Sequence, residues 1–128
     1  MSKVWFVIKL LLALFITYAG VQHFVNPTFF EKVIPPFLMD FALPIVYISG
    51  VIEIAIGLLL FTNKYQRLGA LSFFLLMLAF LPLHIWDVFA EDPFTGSRNA
   101  SYIRLVIQFV LIALLWKLKS LYSSEKLF

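Results

Sequence analysis

The 128 residues are 62% hydrophobic and 18% aromatic, with only 13% charged, far from the soluble average of about half apolar and a quarter charged. This composition excludes an ordinary water-soluble domain, and the net charge of +3, without a basic stripe or stacking motif, excludes nucleic acid as the expected partner. The absence of cysteine removes thiol–disulfide exchange, cysteine-ligated iron–sulfur clusters and c-type haem attachment from the candidate chemistries.

A spanning helix needs about 20 apolar residues, so the chain accommodates about four spans. The expectation is an all-α integral membrane four-helix bundle, one domain over residues 1–128, with the lipid bilayer as its surroundings. The first apolar run covers Val4–Phe24. Lys3 ahead of it, with Thr17 and Ala19 before Gly20, resembles a signal-peptide pattern, but cleavage would leave three spans and discard "GVQHF". The run is therefore read as a retained helix. Next, Asn26-Pro27 is a helix start, and Phe29, Phe30, Val33 and Ile34 alternate with Glu31 and Lys32 until Pro35-Pro36. That pattern predicts a short amphipathic helix lying on the membrane surface between the first two spans.

The second run is Phe41–Phe61, the third Leu68–Phe89 and the fourth begins at Tyr102, with a helix drawn to about residue 118. "NAS" at Asn99–Ser101 matches a glycosylation acceptor but abuts the fourth run and reads as its cap. Lys3, Lys9, Lys64, Arg67, Lys117, Lys119 and Lys126 fall on one side of the membrane, against Lys32, Arg98 and Arg104 on the other. This bias predicts that both termini are cytoplasmic.

Within that topology the polar residues inside the runs converge. Gln22 and His23 lie at the outer end of the first helix, and His84 and Asp87 just below the outer end of the third. Arg104 and Gln108 share one face at the start of the fourth. Glu53, about 13 residues into the descending second helix, is the floor beneath them. Gly50, Glu53 and Gly57 follow helical spacing, as do Ala13, Thr17, Gly20 and His23, and small residues mark faces where membrane helices approach closely. A carboxylate turned to lipid costs about 2.5–3.5 kcal/mol on insertion scales, so Glu53 is expected to point inward, either protonated or paired with Arg104 or a histidine. Blander roles compete: an interfacial anchor for Gln22, a kink-satisfying imidazole for His84 after Pro82, boundary positions for Trp86 and Asp87, and an outward-snorkelling Arg104. Two histidines without a spaced ligand motif predict neither haem nor a metal site.

"YAGVQHFVNPTFFEKVIPP", then "GVIEIAIGLLL", the basic loop "NKYQR", a histidine late in the third run and "RLVIQ" opening the fourth resemble the DoxX-like membrane proteins, in order and over nearly the whole chain. The resemblance implies a bacterial cytoplasmic-membrane protein linked to redox processes, and carries over to Gly20, His23, Phe24, Pro35, Glu53, Arg104 and Gln108. The function it favours is a redox-associated subunit or accessory that binds a quinone or similar lipophilic molecule in the outward polar cluster, with a redox enzyme subunit as partner. The alternatives are a non-catalytic assembly partner, homo-oligomeric or within a larger complex, and a small transporter. Whether the chain is an enzyme stays open at this point.

Overall fold

The computed structural model describes residues 2–128. Four long helices account for most of them: α1 over Lys3–Val25, α3 over Ala42–Phe61, α4 over Gln66–Phe89 and α5 over Arg98–Leu121. A one-turn helix, α2, covers Pro27–Glu31, and a 3-10 turn over Pro36–Phe41 leads into α3. With that turn included in the third helix's segment, all four are long and apolar enough to cross a membrane. Helices apolar on nearly every side retain no water-facing stripe, so their outward faces suit lipid. Large apolar side chains stand exposed along each of them, among them Leu11, Ile48, Leu75 and Val110.

Local chemistry sets the helix ends. The Ser2 hydroxyl accepts from the Trp5 amide to cap α1. Pro27 occupies the first position of α2, where no intrahelical donor is needed. The amphipathic segment is shorter than its pattern suggests: α2 stops at Glu31, and the Val33 and Ile34 amides bond back to Phe30 and Glu31 in turns. This frees Ile34 to bury against Ala42 and Val46. α4 opens at Gln66, two residues before the expected start. The fourth span starts four residues early, because the cap is Ser97, whose hydroxyl accepts from the Ala100 amide, rather than a residue of Asn99–Ser101. Ser101 lies inside the first turn, donating to the Arg98 carbonyl.

α1 packs along α3, α4 packs along α5, and α3 joins the two pairs through α4. No comparable packing links α1 to α5. Small residues explain the closeness of the first pair. A Cβ placed on Gly20 would lie 2.7 Å from the Gly50 carbonyl oxygen, and one on Gly57 would strike the Thr17 hydroxyl. Near the termini the pairs close on a core containing Leu12, Leu60, Phe73, Leu115 and Leu118. At the opposite end, where α1 and α4 finish and α3 and α5 begin, they stand apart around a cavity of about 470 Å³.

Candidate functional site

The close approach of α1 and α3 determines what faces what one turn further on. His23 follows Gly20 by three residues and Glu53 follows Gly50 by three, so the Gly20–Gly50 contact brings the two polar groups onto one seam. His23 Nε2 lies 3.1 Å from Glu53 Oε2, with both residues buried. His23 Nδ1 lies 2.6 Å from the Ala19 carbonyl oxygen. A carbonyl can only accept, so Nδ1 carries a proton. A neutral imidazole then has only a lone pair at Nε2, and Glu53 Oε2 has no hydrogen-bond partner, so the 3.1 Å approach is favourable only where one of the two groups carries a second proton. The pair is therefore a one-proton site, held as imidazolium and carboxylate or as imidazole and carboxylic acid. Phe30 of α2 stacks on the imidazole with ring centres 3.8 Å apart, which shields it from above.

The pair forms one wall of the cavity. His84 on α4 and Arg104 and Gln108 on α5 line other walls, so five of the seven polar residues placed together in the sequence analysis meet around one space. They differ in how far they are committed. Gln108 is buried and donates through Nε2 to the Met77 carbonyl at 2.8 Å, tying α5 to α4. His84 is buried with its Nδ1 unpartnered, so it does not satisfy a carbonyl freed by Pro82 through that atom. Arg104 makes no hydrogen bond or ion pair with a described residue. Its guanidinium faces the open cavity, remains accessible there, and acts electrostatically on both Glu53 and His84. Gln22 and Asp87 are not on the cavity wall. Apolar side chains supply most of the remaining lining, including Ile16, Val46, Phe80 and Leu111.

Asp87, expected as a boundary residue, is almost completely buried and organises the roof. Its carboxylate accepts from the Phe94 amide at 2.7 Å and the Thr95 hydroxyl at 3.0 Å, and both of those residues line the cavity. Arg98 donates to the Val88 carbonyl and closes the same loop from its far side. Trp86, by contrast, is exposed.

A second polar cluster lies at the end near the termini, and the sequence reading missed it. Lys9, expected to flank the first run, is 1% exposed and donates to Gln66 Oε1 at 3.1 Å. Gln66 Nε2 in turn donates to the Glu125 carboxylate at 2.9 and 3.0 Å, and Arg67 donates to the Glu125 carbonyl at 2.6 Å. The signal available was a lysine two turns inside an apolar run, which needs an acceptor to be buried there. The acceptors come from 57 residues away and from the tail. Tyr122 is buried beside this cluster, and burial together with the Glu125 carboxylate pushes its phenol up to about 12.

Among the described residues, no three His, Cys, Asp or Glu side chains are grouped to hold a metal ion. A family model described as a domain of unknown function matches residues 12–119. The chain belongs to that family, DUF8561. The DUF8561 span takes in His23, Glu53, His84, Arg104 and Gln108 together with the glycine seam, and leaves out Lys9 and Glu125. No curated protein and no solved structure matches the chain.

Proposed function

We propose that this chain is a multi-pass protein of the bacterial cytoplasmic membrane, with both termini cytoplasmic, and that its cavity binds a lipophilic molecule and exchanges one proton with it. The observation that carries the reading is the His23–Glu53 pair on the cavity wall, which is satisfied only with one shared proton. An ionisable group inside a membrane bundle is by default a functional-site hypothesis. Here it sits beside an uncommitted donor, Arg104, and an unpartnered imidazole nitrogen on His84.

The DoxX-like resemblance makes a quinone the ligand of choice. A quinone head presents carbonyl oxygens that Arg104 and His84 meet as donors, while its ring lies among apolar side chains. Interconversion of quinone and quinol moves two electrons and two protons. In this reading a redox partner subunit exchanges the electrons, the His23–Glu53 pair gives or takes one proton, and the aqueous phase exchanges the other. The chain acts as a binding and proton-handling subunit within that reaction.

The test is thermal unfolding of the purified protein in detergent against a panel of quinones. A ligand at 100 times its Kd stabilises the folded state by about 2.7 kcal/mol. At least one quinone is expected to stabilise the wild type, with a smaller effect on Glu53→Gln and Arg104→Gln. If no quinone stabilises the wild type, or if all three proteins respond equally, the reading fails.

A further inference from the structure

The walls of the cavity are sealed unevenly. Above, α2 contributes Phe29 and Phe30, and the 90–97 loop contributes Phe94 and Thr95, held down by Asp87. Below, the Gln108–Met77 bond ties α5 to α4 over the apolar core. The α1–α3 seam is closed by glycine contacts, and α4 packs on both α3 and α5. The remaining side lies between α1 and α5, which have no comparable packing. Of the exposed residues that line the cavity, Phe29 belongs to the α2 roof, and the others sit on this side: Phe15 on α1 is 40% exposed, Ile103 and Ile107 on α5 are 61% and 43% exposed, and Arg104 lies between them on α5.

From this asymmetry we infer that the cavity opens sideways into the bilayer between Phe15 of α1 and Ile103 and Ile107 of α5, and takes a membrane-dissolved amphiphile whose hydrocarbon tail stays in that opening. The inference rests on the cavity being a ligand site, as proposed above, and adds the route and the shape of the ligand. The rim is apolar because the tail crosses it, and water gains nothing from such a passage. The inner end offers donors. Arg104 carries five N–H groups and no acceptor, and makes no hydrogen bond or ion pair with a described residue; His84, which lines the cavity, is more than nine-tenths buried and has an unpartnered nitrogen. A head group rich in acceptor oxygens meets that chemistry, and one made of donors alone does not. Ile103 and Ile107 are one helical turn apart and flank Arg104, so a molecule passing the rim brings its head directly to the guanidinium.

The probe is a substituted benzoquinone, used once with a decyl tail and once with a methyl group in its place, with binding to purified protein in phosphatidylcholine nanodiscs followed by thermal stabilisation. Ile103→Trp and Ile107→Trp narrow the opening, and Ile107→Ala widens it. The two tryptophan variants are expected to weaken binding of the tailed probe at least tenfold while changing that of the tail-less probe less than twofold. Ile107→Ala should keep tailed binding within threefold of wild type. Equal effects on both probes, or no effect on either, would overturn the lateral route while leaving the ligand site standing. If the wild type binds neither probe, the ligand-site reading fails together with the route. A tryptophan variant whose unfolding midpoint without ligand falls far below wild type is replaced by Ile107→Phe, judged by the same two ratios.

Discussion

Gly20→Ala probes the seam on which the His23–Glu53 pair depends. The added Cβ would lie 2.7 Å from the Gly50 oxygen, 2.8 Å from Ile54 Cγ1 and 3.0 Å from the Ile54 nitrogen. Ordinary contact starts at 3.4 Å, so the worst overlap is about 0.7 Å. Ile54 Cγ1 can rotate away, but the other two atoms are α3 backbone and can yield only if the helices part. Overpacking of this kind costs about 1–3 kcal/mol, against about 1 kcal/mol gained from alanine's better helix propensity. Because the obstruction is backbone, the cost falls in the upper part of its range, and a net loss of about 1–2 kcal/mol is expected. Parting the helices also lengthens the 3.1 Å His23–Glu53 contact and weakens the attraction between the two groups. The assay is denaturant unfolding in detergent alongside Val21→Ala, a change on the neighbouring exposed position. Nitrogen NMR of His23 reports the pair directly. A Gly20→Ala protein as stable as wild type, with unchanged His23 resonances, would refute the argument that the glycine contact sets the pair's geometry.

Asp87→Ala removes the acceptor for the Phe94 amide and the Thr95 hydroxyl; bonds to a charged group contribute about 1.5–3 kcal/mol, so limited proteolysis should cleave within residues 90–97 several-fold faster, and an unchanged rate would contradict its role in the roof. Tyr122 gives a pH dependence: below about pH 10 both states keep the phenolic proton, whereas between about 10 and 12 the folded chain holds a proton the unfolded chain has lost, so stability falls as pH rises through that window. Tyr122→Phe should flatten that part of the profile, and equal alkaline slopes for the two proteins would count against it. Gln66→Leu leaves the buried Lys9 ammonium without its hydrogen bond and is expected to destabilise by about 1–3 kcal/mol in the same unfolding assay; a neutral result would mean that the cluster near the termini is incidental.

The sequence alone determined four apolar helices, their order, and the side of a helix on which several groups lie. Hydropathy and spacing are local properties: Gly20 and His23 share a stripe whatever surrounds them, and so do Gly50 and Glu53. Burial of Glu53 was also legible, because an isolated carboxylate in lipid is too costly to leave unpaired.

Its partner was not legible. Arg104 and a histidine were both candidates, and the choice depends on how far α1 slides and rotates against α3. That register comes from the fit of Gly20 to Gly50 and of Thr17 to Gly57, contacts between residues some 30 to 40 positions apart. The same limit hid the burial of Lys9, since its acceptor Gln66 opens another helix and that residue's own partner, Glu125, lies in the tail. It also hid the difference between Gln22 and Gln108: only helix rotation decides that one misses the cavity and the other spans to the Met77 carbonyl. The cavity itself exists because α1 pairs with α3 and α4 with α5 while α1 and α5 stay apart. Pairing of helices is a matter of which surfaces fit most closely, and no single helix carries that comparison in its own residues.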